Sequence, residues 1–407
     1  MAKILCAIMS LLGVLLFSES AYAAGCGLNH TKIMNTLINP PKSHDLLFIV
    51  AHRGIHGTLN SSLYKDTPEN SRESLDNADK ECIEAVEIDV RLSSDGVPMI
   101  THDTNWGREL RTTDLKSGSC CFDPYHNAGY NPAVNQTTAA AASQWVVRPT
   151  TNLWGQSKWN EKGTTLNDML NHYKTKGYEF IIFIDVKDSP AFGKAWAEVA
   201  SHQMSDRVVL KIAANVFPNP EDLAAKLRTI HYACQCAYSD AAYIKVMPVY
   251  QTSDIAPNNA FGSGGGESKV VNSAMLWAEW NGKHASEKFV VGVETNIKQR
   301  GKILSSTILK VRDYVTVANF MPVIEDVTTN DGNYFRSDAT CCVKLESYLY
   351  NGGSSLPSDT ADERPLLDFV KDHVTGNYIN MITTDNALGL AQSAAQWGRR
   401  NTVKYFR

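Results

Sequence analysis

The chain has 407 residues, 43% of them hydrophobic and 20% charged, with a formal net charge of −4. This is ordinary globular composition, with enough apolar side chains for one large core. The near-neutral balance and the lack of any Lys/Arg run exclude the clustered basic surface that nucleic-acid binding needs.

The first residues read as an export leader. Lys3 supplies a positive start, residues 4–17 are apolar, and Ala21-Tyr22-Ala23 is an A-x-A cleavage site. The apolar run is shorter than the roughly 20 residues of a membrane span. A signal peptide over residues 1–23 and a single exported domain over 24–407, periplasmic or secreted, are therefore expected. Ala23-Ala24-Gly25-Cys26 is also a degenerate lipobox, so lipid anchoring at Cys26 is the alternative. The Leu usual three residues before that cysteine is missing.

Of nine cysteines, Cys6 lies in the leader, and the remaining even set predicts disulfides in an exported protein. Cys120-Cys121 and Cys341-Cys342 are adjacent pairs, and Cys234 and Cys236 are one residue apart. Neither paired C-x-x-C units nor paired histidines occur, so bridges between loops are expected rather than zinc. Their connectivity is not legible.

Short apolar runs rich in Val, Ile and Phe follow one another along the chain. They lie at 46–52, 85–92, 180–187, 208–213, 243–250, 289–295, 316–325 and 378–385. Near-continuous runs of this length suit strands buried on both faces, as in parallel sheets. Helical patterns sit between them at 68–81, 165–177, 190–204, 220–231, 297–312 and 386–399. For the first of these, Thr67 is the expected N-cap and Pro68 the first helical residue. Strands alternating with helices over this length predict an α/β fold, a TIM (β/α)8 barrel, whose strand carboxyl ends build the active site. Residues 115–163 and 328–361 break the rhythm and carry the adjacent cysteine pairs. They are expected to be long cysteine-containing loop insertions at the catalytic mouth. The Gly-rich run from Gly262 to Ser268 lacks the Gly-Lys-Ser/Thr ending of a phosphate-binding loop and reads as flexible connection.

Polar residues gather at the ends of the predicted strands: His52, Asp185 with Lys187, Glu294, Glu325 and Asp385. Glu87 and Asp89 are two apart in a strand, so their side chains share one face, while Val86, Ile88 and Val90 mark the strand as buried. Two enclosed carboxylates repel each other, and a hard divalent cation relieves that repulsion. His102, thirteen residues after Asp89, returns through a hairpin toward the pair. Two imidazoles beside a metal can act as acid and base. Arg53 offers a planar fork to phosphate oxygens. Asp185 and Lys187 repeat the two-apart pattern, as third metal ligand and phosphate contact, or else as a buried ion pair. Lys211, a charge within an apolar run, is expected to face the mouth.

These residues carry a resemblance. AHRG (51–54), PENS (68–71), VEIDV (86–90), LSSDGVPMITHD (92–103) and LRTT (110–113) resemble, in order and spacing, the N-terminal signature of glycerophosphodiester phosphodiesterases. TTLNDML (164–170), FIDVK (183–187) and ITTDN (382–386) resemble its weaker later motifs. The resemblance implies a phosphoric diester hydrolase in which His52 and His102 are acid and base. Glu87, Asp89 and Asp185 would hold Mg2+ or Ca2+, and Arg53 would bind phosphate; Lys187 and Lys211 are candidate phosphate contacts from their own places on the strands. It further implies attack on phosphorus by a hydroxyl of the substrate's glycerol, departure of the alcohol, and hydrolysis of a cyclic phosphate. Asp185 stands where the family usually has Glu, and the stretch from Gly54 to Pro68 is long and adds His56.

The Glu-x-Asp pair, the following His, the Asp-x-Lys strand and the cysteine loop also resemble sphingomyelinase D-like and lysophospholipase D enzymes. That alternative implies a lysolipid substrate, peripheral membrane contact and an apolar rim, for which Trp145, Trp154 and Trp159 are candidates. A non-catalytic binding protein on the same barrel is the reading of another class, and the paired histidines argue against it. Head group, ion and oligomeric state are not encoded legibly.

Overall fold

The computed structural model describes residues 26–40, 45–114, 116–149, 157–234, 244–251, 254, 267–284, 289–297, 300, 304, 325–326, 336–341, 363–364, 366–375 and 381–407. Among the described residues, nine strands form one sheet. They are β1 (Phe48–Ala51), β2 (Ala85–Leu92), β3 (Pro98–Ile100), β4 (Ile181–Val186), β5 (Val208–Ala213), β6 (Lys245–Tyr250), β7 (Glu294–Thr295), β8 (Glu325–Asp326) and β9 (Met381–Thr384). The spatial order is β7-β6-β5-β4-β2-β1-β9-β8, with every neighbour in this path parallel. Only β3 is antiparallel, folded back on β2 as the hairpin expected before His102. Helices Arg72–Lys80, Leu166–Lys176, Ala191–Ser201, Pro220–Cys234, Glu267–Lys283, Leu367–Thr375 and Ala387–Gln396 fall between or after the parallel strands. This is the (β/α)8 order of a TIM barrel.

The strands read as unbroken apolar runs because both of their faces are covered. Phe48, Ile49, Ile182, Ile184, Leu210 and Val246 are all fully buried in one core. At the amino ends of the strands, the Arg400 guanidinium forms a two-pronged pair with the buried Glu84 carboxylate, at 2.6 Å to each oxygen. Glu84 also accepts from the Ile49 N–H. That end is closed by structural charges, which leaves the opposite, carboxyl end for chemistry. No helix among the described residues is long and apolar enough to cross a membrane.

Three expectations need correction. The helix predicted from Pro68 begins at Arg72, and its cap is Ser71, whose hydroxyl accepts from the Ser74 N–H in a capping box. Thr67 instead bonds Glu73. The reason is Asn70, whose left-handed φ of 52° turns the PENS segment out of helical geometry. The 17-residue helix Glu267–Lys283 was hidden behind the Gly-rich run and is not in the predicted set. Likewise unpredicted is His30–Ile38, capped by Asn29. Strand and helix expectations over residues 305–324 lie outside the described residues.

The first insertion is irregular but not coreless. Met99, Trp106, Leu110, Val134, Ala142, Trp145 and Val147 form a second apolar cluster beneath it. Trp145 is buried there and its indole N–H donates to Thr113 O at 3.1 Å. Trp159 is exposed, and Trp154 lies outside the described residues. Cys120 and Cys121 sit side by side in this insertion.

Candidate active site

Strand register assembles the site. The two-residue repeat of β2 sends Glu87 and Asp89 to one face and Val86, Ile88 and Val90 to the other. Parallel pairing sets Asp89 beside Asp185 on β4, and Asp185 beside Lys211 on β5. Glu87, Asp89 and Asp185 each present an oxygen, all within 4.8 Å of one another, and all three residues are buried.

Cations surround this acidic row. Lys187 Nζ lies 3.0 Å from Asp89 Oδ1 and 2.6 Å from Asp185 Oδ2. Lys211 is fully enclosed, 3.0 Å from Glu294 Oε2, 3.5 Å from Asp185 Oδ2 and 3.7 Å from Glu87 Oε1. Arg53 Nε lies 2.9 Å from Asp89 Oδ2. Burial, and then the Asp89 charge, push the Glu87 carboxyl up to about 8. Against its own burial, Asp89 is held well below the usual carboxylate range by Lys187 and Arg53. Glu87 Oε1 is enclosed and accepts no hydrogen bond, while Asp89 Oδ1 faces the Lys187 ammonium. Three converging carboxylates with such oxygens fit a hard divalent cation.

The two histidines flank the row in opposite states. His52, fully buried at the end of β1, is 2.6 Å through Nδ1 from Asp385 Oδ1, and its Nε2 is 3.9 Å from Glu87 Oε2. Burial opposes a charged ring here, but Asp385, aided by Glu87, outweighs it and raises His52 to about 10. His102 stands half-buried beyond β3 with Nδ1 2.8 Å from Asp103 Oδ1. Burial and the Arg53 and Lys187 charges push it down to about 4. His56 is a further buried imidazole, with Nε2 3.8 Å from Asp385 Oδ1.

A chain of alternating charges runs beneath the site. Arg53 bridges Asp89 and Glu69; Arg108 bridges Glu69, Asp103 and Glu109; and Asp103 reaches His102. Asn70 clamps Asp89 from the side, donating to Oδ2 at 2.9 Å and accepting from the Asp89 N–H at 3.0 Å. The turn after β1 is tight: Arg53 and Gly54 have φ of 54° and 84°, and a Cβ on Gly54 would lie 2.6 Å from Ser74 Cβ. Only glycine fits there without strain.

The structure thus brings His52, Arg53, Glu87, Asp89, His102, Asp185, Lys187 and Lys211 to one place. Lys187 and Lys211 are engaged by carboxylates, the ion-pair alternative raised for Lys187. Sequence reasoning flagged Glu294 and Asp385 as strand-end polar residues without giving them roles. It passed over Glu69, Asn70, Asp103, Arg108 and Glu109 altogether, although they fall within or beside the PENS, THD and LRTT segments. A second acidic group, His102, Asp103 and Glu109, is already neutralised by Arg108.

The model of the glycerophosphoryl diester phosphodiesterase family matches residues 52–232. Those residues belong to that family. The match begins at His52 and includes every site residue named from the sequence, while Glu294 and Asp385 lie beyond it. The glycerophosphodiester phosphodiesterase family is one of phosphoric diester hydrolases, the enzyme class expected above. No curated protein matches the chain. Among solved structures, the fold resembles that of a glycerophosphoryl diester phosphodiesterase described from Silicibacter pomeroyi. The TM-score is 0.53 at 14% identity, covering 90% of this chain and 98% of that one. A second resemblance, to a glycerophosphoryl diester phosphodiesterase from Parabacteroides distasonis, has a TM-score of 0.52 at 15% identity, with 92% and 96% coverage. At such identities the likeness speaks for the fold.

Proposed function

We propose that this chain hydrolyses glycerophosphodiesters to glycerol phosphate and an alcohol, with a hard divalent cation, Mg2+ or Ca2+, held by Glu87, Asp89 and Asp185. The observation that carries the reading is the placement of two histidines on either side of that carboxylate row, His52 held by Asp385 and His102 by Asp103. Groups whose environments drive their pKa values apart divide acid from base work. His102, neutral and open to the mouth, takes the proton from the attacking hydroxyl. His52, charged and buried against Asp385, gives its proton to the leaving oxygen through Nε2. The bound cation would polarise the phosphoryl oxygens and favour the deprotonated nucleophile.

Asp385 is the positioning residue for His52, since its acceptance at Nδ1 fixes the ring and keeps Nε2 toward the site. Arg53, held from both sides by Asp89 and Glu69, presents its charge in one fixed place. Lys187, at the rim, can exchange its carboxylate contacts for a phosphate oxygen when the cation binds. Lys211 is enclosed on all sides, so its part is charge balance under the row, not contact with phosphate.

The test is hydrolysis of glycerophosphocholine and lysophosphatidylcholine in parallel, with and without EDTA. EDTA-sensitive release of choline from the water-soluble diester supports the reading. Turnover of the lysolipid alone moves the substrate to the lipid class. No turnover of either, with His52→Ala matching wild type, refutes the mechanism.

A further inference from the structure

We infer, on the reading of His52 as the acid that protonates the leaving alcohol, that Asn60 is a positioning residue for that proton donor. Asn60 lies in the long turn between Gly54 and Pro68; it fixes Asp385 and, through it, His52. Asp385 stands one residue past β9, so the turn into helix Ala387–Gln396 sets where its carboxylate lies.

Asn60 grips that turn with both ends of one amide. Its Nδ2 donates to Asp385 O at 2.8 Å, and its Oδ1 accepts from the Leu388 N–H at 3.2 Å. The two partners fix the amide's orientation, since the carbonyl end can only accept and the NH2 end can only donate. The Leu388 N–H belongs to the first turn of the helix, where backbone donors have no partner within the helix. The helix's own cap, Asn386, serves the Gly389 N–H instead. Asn60 thus supplies, from 328 residues away, a bond that the local sequence does not.

The grip is itself anchored. Asn60 Nδ2 also donates to His56 O at 2.9 Å, across the short helix Gly57–Asn60. The His56 ring, buried at the head of that helix, faces Asp385 Oδ1 with Nε2 3.8 Å away. This is the oxygen that holds His52 Nδ1 at 2.6 Å. The long turn therefore meets Asp385 at its backbone and at its carboxylate. A shift of residues 385–388 would carry the carboxylate off the His52 ring, and with it His52 Nε2 off the leaving oxygen. Proton transfer is sensitive to such misplacement, whereas phosphate binding rests on other groups.

The experiment uses the full chain, with Ca2+ or Mg2+ supplied, and two diesters of glycerol phosphate that differ in leaving group. The choline alkoxide is a strong base and needs the proton; 4-nitrophenolate is a stable anion and needs little of it. Asn60→Ala should lower kcat for choline release on the order of tenfold, with KM changed by less than about twofold. Nitrophenol release should fall several-fold less. Asn60→Asp keeps an acceptor for the Leu388 N–H but cannot donate to Asp385 O. It should show the same split, and it carries the test where the alanine variant fails to fold. An equal fall on both esters, or choline release at the wild-type rate, overturns the inference. Proton NMR of the metal-free protein reads the same bond without turnover. The His52 Nδ1 proton, far downfield in wild type because of its short bond to Asp385, should move upfield or exchange away in both variants. An unmoved resonance overturns the inference whatever the activity. Failure of wild type to cleave either ester, with the resonance moved, sinks the hydrolase reading and leaves the Asn60 grip on Asp385 supported.

Discussion

Replacing Asp385 with Asn removes one charge and almost no volume, which isolates the electrostatic support of His52. The pair is short, 2.6 Å between Nδ1 and Oδ1, and buried. It is the main reason the ring rises from 6.5 to about 10 despite its burial. A rise of that size is on the order of 5 kcal/mol in favour of the imidazolium. With Asn at 385 burial dominates, and His52 in the metal-free protein should titrate near or below its ordinary value. A raised histidine stabilises the fold below its unfolded pKa, near 6.5, and that contribution is lost as pH rises toward 10. Asp385→Asn should therefore destabilise the metal-free protein at neutral pH and flatten this dependence. For turnover, only the part of the interaction that matters to proton donation is lost, so kcat should fall by about 10²–10⁴-fold. The assay is choline release from glycerophosphocholine across pH about 5 to 10, beside imidazole NMR of the metal-free protein. Wild-type kcat in the variant, or an unmoved His52 titration, would refute the reasoning.

Lys211→Met leaves Glu87, Asp185 and Glu294 facing one another without their shared cation, and breaking such a buried arrangement costs about 3–5 kcal/mol. Because a bound divalent ion restores positive charge, the fall in Tm should be larger in EDTA than in excess Ca2+; equal falls would contradict the assignment. Metal affinity should rise with pH. Burial holds the Glu87 carboxyl up at about 8 against 4.5 in the unfolded chain, so between these values the metal-free fold loses stability as the unfolded chain ionises while the folded one keeps its proton. Over the same window the incoming ion must displace that proton. Calorimetric titration near pH about 6, in two buffers of different ionisation enthalpy, should show proton release, and its absence would count against the site. Gly54→Ala forces a Cβ to within 2.6 Å of Ser74 Cβ at a φ of 84°. Strain of this kind costs about 1–3 kcal/mol, so thermal denaturation should show a lower Tm, and an unchanged one would mean the turn relaxes freely.

The local part of the site was open to a reader of the chain alone. Glu87 and Asp89 share a face because the strand period is two, and the return of His102 follows from a hairpin only a few residues long. The apolar runs at 85–92 and 208–213 became strands with those very bounds, since burial on both faces leaves an unbroken signal. Less legible were elements whose start depends on one backbone angle. Thr67 and Pro68 carry a sound helix-start pattern, yet Asn70 turns the chain first and gives its side chain to Asp89. The helix Glu267–Lys283 was concealed because its glycine-rich approach carries no periodicity.

What the sequence determined by itself is most of the parallel strands, their alternation with helices, and the carboxylate pair, all of which arise from interactions between near neighbours. What only the tertiary structure decided is which distant charges meet. His52 and Asp385 are 333 residues apart yet share a hydrogen bond, because β1 pairs with β9. Lys211 meets Glu294 through the turn of the sheet from β5 to β7. No spacing rule reports such contacts, since parallel strands join across long crossovers whose lengths leave no periodic trace. The proposed division of acid from base between two otherwise alike histidines rests on contacts that exist only in the folded chain.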